Sequence, residues 1–295
     1  MQVSIVIVNY HTIAFITKAI SSIIEKTKNV EYEIIIVDNN SGDDFSLLEH
    51  LNYNFLHIHK LPENIGFGRA NNYGVSKAVG EYVLFLNPDT LLRNNAIYYL
   101  YHALEDNNEY GIVGGNLFSK EGTPNLSYGL FLPSISEELY GTTENLFHSY
   151  YMKRNYFFNF TGKHKEVAYI TGADIMMRRD LFNNIGGFDK RFFMYCEDAD
   201  LAARVKKRGL KIVSIPKAEI LHFEGKSVVF KESRFWLTYT GRKTYFNIHY
   251  SKAYTLLANI LRLFYMFISC LLYMPYIDKL RIQVKKIILF FRVCF

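Results

Sequence analysis

Cysteine is scarce in this chain. The three present, Cys196, Cys270 and Cys294, are too few and too widely spaced for a disulfide framework or a cysteine-ligated zinc site. Their scarcity fits a reducing compartment, so the expected location is the cytoplasm. Tryptophan is nearly absent as well, with one residue against 24 Phe and 23 Tyr. Internal repeats and low-complexity linkers are missing, which excludes a solenoid or a string of modules. The opening stretch Met1-Gln2-Val3-Ser4-Ile5-Val6-Ile7-Val8 lacks a basic n-region and a small-residue cleavage site, and reads as a first strand rather than a signal peptide. Residues 1–224 also lack excess positive charge. Of the net +6, Gly225–Phe295 carries +10, from 12 Lys/Arg against Glu232 and Asp278, which leaves −4 for the rest. A nucleic-acid-binding face on the main domain is therefore not expected.

What is present is a regular alternation. Val3–Val8, Ile34–Val37, Phe55–Ile58 and Tyr82–Leu86 are short apolar runs rich in β-branched residues. Helical patterns over Ile13–Ile24, Phe67–Val79 and Asn94–Leu104 separate or follow them. Continuous apolar strands joined by helices predict a mostly parallel sheet covered on both faces. Further strands are expected at Ile112-Val113, across Val167–Arg178 with a break at Thr171–Asp174, and at Leu210–Ile215 and Glu219–His222. Short helices are expected over Leu181–Gly187 and from Glu197 to a stop at Gly209. Leu117–Glu166 is aromatic and without clear period.

In such sheets ligands bind beyond the carboxyl ends of the strands. The polar clusters after Val8, Val37 and Leu86 should therefore converge. Asp38, in Asp38-Asn39-Asn40-Ser41-Gly42, either accepts hydrogen bonds from a base or ribose or simply makes a turn. Asn87-Pro88-Asp89 is a rigid turn that could aim Asp89, and Asn87 beside it, at a divalent cation. Gly66-Phe67-Gly68-Arg69-Ala70-Asn71 is not a dinucleotide fingerprint, because a third glycine and a following acid are missing. A tight turn opening a helix accounts for it better, with Arg69 and Asn71 near a phosphate or base. Glu197-Asp198-Ala199-Asp200 places three acids at a helix start. They act as caps, or Asp198 is a general base kept ionised by the helix N-terminus, with Asp200 holding backbone or a basic side chain. His222 ends a strand and is either structural or a metal ligand beside a carboxylate, with Lys226 or Ser227 beyond it near a diphosphate.

The ordered set Val3-Ser4-Ile5-Val6-Ile7-Val8-Asn9-Tyr10, Val37-Asp38-Asn39-Asn40-Ser41, Glu63–Asn72, Leu86-Asn87-Pro88-Asp89, Thr171-Gly172-Ala173-Asp174, Gly186-Gly187-Phe188-Asp189 and Phe193–Leu201 resembles glycosyltransferase family 2, closest to its rhamnosyltransferase-like branch. The resemblance spans about residues 3–227. It implies an α/β GT-A fold, with a Rossmann-like, mostly parallel central sheet flanked by helices. Residues 1–230 would form the transferase domain, 1–115 binding the nucleotide sugar and 116–230 the acceptor. It implies that Asn9 and Asp38 contact the nucleotide with Arg69 and Asn71 nearby, and that Asp174 lies near the donor sugar or acceptor. Asn87-Pro88-Asp89 stands where the family often has Asp-X-Asp, so Mg²⁺ or Mn²⁺ would rest on Asp89 and His222. Asp198 matches the family's catalytic base, in a single inverting displacement at the anomeric carbon. dTDP-rhamnose is the lead donor, with UDP-hexoses next, and a glycan or lipid-linked acceptor in cell-surface polysaccharide synthesis is implied.

Residues 231–295 lie outside that resemblance. Tyr254–Tyr276 is strongly apolar but interrupted by Arg262, and Lys279–Phe295 alternates apolar clusters with Lys279, Arg281, Lys285, Lys286 and Arg292. Two readings fit: a basic amphipathic tail on an anionic membrane surface, or a helical cap packed on the domain. A nucleotidyltransferase is excluded by the absence of a Gly-rich basic loop where Asn9-Tyr10-His11-Thr12 stands. A non-catalytic carbohydrate-binding descendant is the remaining alternative, opposed by the intact Asp89 and Asp198.

Overall fold

The computed structural model describes residues 1–140, 157–223 and 231–295. The strands are β1 (Val3–Asn9), β2 (Tyr32–Asp38), β3 (Leu56–Lys60), β4 (Tyr82–Leu86), β5 (Thr90–Leu92), β6 (Tyr110–Phe118), β7 (Tyr128–Gly129), β8 (Lys165–Glu166), β9 (Tyr169–Ile170), β10 (Asp174–Arg178) and β11 (Lys211–His222). The helices are α1 (Ile13–Lys26), α2 (Ser46–His50), α3 (Phe67–Lys77), α4 (Ala96–Glu105), α5 (Arg179–Asn184), α6 (Glu197–Lys206), α7 (Lys231–His249), α8 (Lys252–Leu272) and α9 (Ile277–Cys294).

Strand order in the main sheet is β3-β2-β1-β4-β10-β6-β11-β5, with β8 added beside β11. β3, β2, β1 and β4 run parallel, as do β6 and β11. β10 is antiparallel to both of its neighbours. The continuous apolar runs follow from burial on two faces. In β1, Val3, Ile5 and Ile7 join the core under α1 and α4, while Val6 and Val8 join the core under α3, α5 and α6. β2 divides in the same way, Ile34 and Ile36 against Ile35 and Val37.

Several local expectations are revised. The two strands expected at Leu210–Ile215 and Glu219–His222 are one long strand, β11, whose register shifts between Ser214 and Glu219. Pro216 sits in that shift, where no ladder N–H is required of it. α2 was not expected; its apolar side rests on Leu48 alone. The aperiodic middle contributes the short strands β7 and β8.

The C-terminal helices pack on the domain and on one another. Tyr245 and Phe246 of α7 and Ala258 of α8 share a cluster with Phe192 and with Ala199 of α6. Tyr239, Met266, Phe290 and Val293 join α7, α8 and α9. Arg262 faces inward, its Nη1 3.2 Å from Glu138 Oε2, and Arg242 Nη2 lies 2.8 Å from the other oxygen. Arg242 also donates to Asn259 across 2.7 Å. The arginine that interrupts the apolar run is thus absorbed by the protein, and the opposite side of α8 is left apolar.

Candidate active site

The ends of β1 and β2 are tied by a buried knot. Asn9 pairs with Asp38 in the strand register. Its Nδ2 donates to Asp38 Oδ1 (2.9 Å), Ser41 Oγ (2.8 Å) and Asp43 Oδ2 (2.9 Å). Its Oδ1 accepts from the backbone N–H and the hydroxyl of Thr12 at 3.1 and 2.8 Å. Asn9 therefore spends its side chain on fixing two carboxylates. Asn39 reaches across to the next loop, donating to Asn64 Oδ1 (2.8 Å) and accepting from Ile65 N–H (2.9 Å). Tyr10 and His11 project from this corner with ring centroids 4.4 Å apart, and Tyr10 is exposed.

α3 begins at Gly66, whose φ of +86° is open to glycine. A Cβ there would also stand 2.5 Å from the Phe193 carbonyl oxygen, to which Phe67 N–H donates (2.9 Å). The start of α3 is thereby docked on the segment leading to Asp198. Arg69 Nε donates to the Lys190 carbonyl (2.8 Å), and the buried Asn71 amide donates to the Phe67 carbonyl (3.1 Å).

Asp89 and His222, distant in sequence, meet because β5 pairs with the end of β11 and sets Thr90 opposite His222. Asp89 Oδ1 lies 3.4 Å from His222 Nε2, and the Asn87 side-chain amide lies 3.3 Å from the same nitrogen. Phe223 N–H donates to the Asp89 carbonyl (3.0 Å), closing the corner. Among the described residues no three His, Cys, Asp or Glu side chains gather into a cage. His222 Nδ1 is buried with no hydrogen-bond partner among the described residues. Two ligands bound cis on an octahedral ion at ~2.1 Å stand ~3 Å apart, so this carboxylate–imidazole pair fits a hard divalent ion whose remaining positions go to water and phosphate. Lys226 and Ser227 lie outside the described residues.

Asp198 sits in the first turn of α6. Tyr195 (φ +71°) and Cys196 (φ +67°) precede it, two consecutive left-handed non-glycine residues. Each such residue costs ~1–2 kcal/mol, a strain that the surrounding packing must hold. Asp198 Oδ2 accepts from Gly172 N–H (3.1 Å) and Oδ1 from Ala199 N–H (2.8 Å). Burial raises its pKa against the pull of these N–H groups. The helix N-terminus alone, from which an ionised group was expected, is therefore outweighed by desolvation. Glu197 is buried with Oε2 unpartnered among the described residues, and burial together with the charge of Asp198 raises it to about 8. Asp200 is fully buried and held by Arg204 (2.6 and 2.9 Å) and by His249 Nε2 (2.8 Å).

Asp174 accepts from Gly115 N–H at 2.5 Å through Oδ2, while Oδ1 is buried without a partner among the described residues. Burial pushes its carboxyl well above the usual range. Its chain neighbours join the two halves of the site. Ala173 carbonyl accepts from Asn87 N–H (2.9 Å), and Gly172 N–H binds Asp198. The Asp89–His222 corner and Asp198 are thus anchored on adjacent residues, whose Cα atoms are about 3.8 Å apart. Sequence reasoning singled out Asp174 in this segment and missed the N–H of Gly172. A backbone contact of that kind leaves no residue-type signal.

Comparison with known proteins shows the family and the fold. The family model of glycosyl transferase family 2 matches residues 4–186, and that described as N-terminal domain of galactosyltransferase matches residues 153–226. The O-antigen biosynthesis protein RfbC of Myxococcus xanthus is 26% identical over 75% of this chain but only 17% of its own length. An N-acetylglucosaminyl-diphospho-decaprenol L-rhamnosyltransferase of Mycobacterium tuberculosis is 43% identical over 21% of this chain and 20% of that protein. The chain thus spans a fifth or less of these two relatives. The rhamnosyltransferase WbbL of Escherichia coli is 25% identical over 82% of this chain and 92% of its own. Among solved structures, GalNAc-T7 with UDP, GalNAc and Mn²⁺ superposes with a TM-score of 0.63 at 14% identity, covering 85% of this chain and 48% of that one. That likeness establishes the GT-A fold.

Proposed function

Because the chain belongs to glycosyltransferase family 2, in its rhamnosyltransferase-like branch, we propose that it transfers a sugar from a nucleotide donor to a glycan or lipid-linked acceptor, with inversion, in cell-surface polysaccharide synthesis. The carrying observation is the hydrogen bonding of Asp198 and Asn87 to the neighbouring residues Gly172 and Ala173. These bonds to adjacent residues support reading Asp198 as the base and the Asp89–His222 corner as the metal position of one site.

Asp38 and Asp43, fixed by Asn9, accept hydrogen bonds from the base or ribose. Arg69 and Asn71 stand on α3, with their side chains engaged by the Lys190 and Phe67 carbonyls. Asp89 and His222, with Asn87 beside them, hold Mg²⁺ or Mn²⁺; relatives of this fold include one solved with Mn²⁺. Such an ion, when bound, neutralises the departing diphosphate. Asp198 takes the proton of the acceptor hydroxyl as that oxygen attacks the anomeric carbon from the side opposite the diphosphate. Its raised pKa makes it a stronger base than an exposed aspartate. Asp174, whose carboxyl burial pushes upward and which accepts from Gly115 N–H, stands next to the turn carrying Gly172, toward the donor sugar or acceptor. dTDP-rhamnose is the leading donor and UDP-hexoses the alternative. Transfer should be assayed with both donor classes, with and without Mn²⁺, on wild type and Asp198→Asn, reading the anomeric configuration by NMR. Metal-independent transfer, or equal rates in the two proteins, would sink this reading.

We further propose that the tail seats the enzyme on the cytoplasmic face of an anionic membrane, where a lipid-linked acceptor would be presented. Leu256, Ile260, Phe264, Phe267 and Leu271 form one stripe along α8, each 48–57% exposed. By length and composition Lys252–Leu271 could cross a bilayer, yet Arg262 and Ala258 on its other side are engaged by the protein, which favours lying on the surface. On α9, Arg281, Lys285 and Arg292 share the exposed side with Ile288 and Phe291. The double change Phe264→Glu/Phe267→Glu should abolish co-sedimentation with phosphatidylglycerol vesicles while leaving the melting temperature intact. Undiminished binding would remove the tail as the membrane contact.

A further inference from the structure

The first turn of α6 is gripped from two sides. On one side Gly172 N–H binds Asp198. On the other lies α7, from the C-terminal region. Its Gly241 packs so closely on the strained bend that a Cβ would stand 2.3 Å from the Tyr195 carbonyl oxygen and 3.1 Å from that of Met194. Two turns further along, His249 sends Nε2 to Asp200 Oδ1 (2.8 Å), and its ring lies 4.3 Å from that of Tyr245. Both His249 and Asp200 are buried. Arg204 occupies the other oxygen of Asp200 from within α6 itself. His249 ties Asp200 directly to α7, while Arg204, whose Nη1 also donates to the Ile185 carbonyl (2.9 Å), links it to the end of α5. Ala199, between Asp198 and Asp200, is packed in the cluster that holds Tyr245, Phe246 and Ala258.

We propose that His249 is a positioning residue for the base: by holding Asp200 it locks the first turn of α6 against α7, so that Asp198 stays seated on Gly172. This rests on the reading of Asp198 as base. A bend with two left-handed residues stores strain that tends to relax, and relaxation would rotate the turn carrying Asp198. Misplacement by about 1 Å costs a rate of about 10- to 100-fold. The role belongs to the acceptor side, so binding of the donor should be insensitive to it.

The test uses the full chain with His249→Ala, His249→Gln and His249→Asn. Gln places an N–H near the position of Nε2, whereas Asn reaches only as far as Nδ1. The expected result is a kcat lowered about 10- to 100-fold in the Ala and Asn variants, with donor KM unchanged and kcat largely restored by Gln. Unchanged kcat in His249→Ala overturns the proposal. So does a loss equal in Gln and Asn that tracks a lowered melting temperature, since that marks a merely structural contact. Asp198→Asn in the same assay separates the two readings: if it transfers at the wild-type rate, the base assignment has failed, whatever His249 does.

Discussion

The two carboxylate clusters differ in how far their polar atoms are satisfied. At the ends of β1 and β2, Asn9, Asp38, Ser41 and Asp43 satisfy one another, although His11 (φ +58°) and Asn40 (φ +59°) beside them are left-handed. Around the first turn of α6, Tyr195 and Cys196 are strained, Glu197 Oε2 and Asp174 Oδ1 lack partners among the described residues, and burial raises Glu197, Asp198 and Asp174. A site that must hold a ligand benefits from satisfied, rigid groups. A site that must move a proton benefits from a carboxylate that water has been kept from stabilising.

The contrast can be broken by mutation, beginning with the largest effect. Asp198→Asn should lower transfer by on the order of 10²–10⁴-fold while donor KM is retained, measured by steady-state kinetics. A rise in KM instead would place Asp198 on the donor side. His222→Ala should raise the Mn²⁺ concentration needed for half-activation by at least about 10- to 100-fold, read from a metal titration. An unchanged titration would leave Asp89 without its partner. Asn9→Leu should cost about 1–3 kcal/mol of stability by leaving a buried Asp38 oxygen short of a donor, measured by urea unfolding, and should weaken donor binding in parallel.

The smallest effect concerns pH. Glu197 titrates in the folded protein at about 8, above its ordinary 4.5, so its contribution to stability is full below about pH 4.5 and is lost as pH rises through about 8. Glu197→Gln should flatten the fall in melting temperature across that window. A slope identical to wild type would show that Glu197 is not the group being desolvated. Asp198 shifts in the same direction and titrates together with Glu197, so the acid limb of kcat/KM should lie above the ordinary aspartate range.

Much of this architecture was legible from residues. The runs Val3–Val8, Ile34–Val37 and Tyr82–Leu86 announced strands buried on both faces. The length of β11 was not legible, because Pro216 looks like a terminator until a register shift accommodates it. The raised pKa of Asp198 was not legible either. A helix N-terminus argues for a lowered pKa, and desolvation by burial shifts it upward against the N–H groups of Ala199 and Gly172.

The sequence by itself therefore determined the family, the parallel core and the identity of the carboxylates, since apolar periodicity and ordered motifs are properties of neighbouring residues. Only the tertiary structure decided which of those carboxylates are satisfied and which are desolvated. It alone also decided that Asp89 meets His222, that Gly172 seats Asp198, and that α7 packs on the bend before Asp198. Those outcomes depend on strand pairing and packing between residues far apart in the chain, where hydrogen bonding and water exclusion are settled.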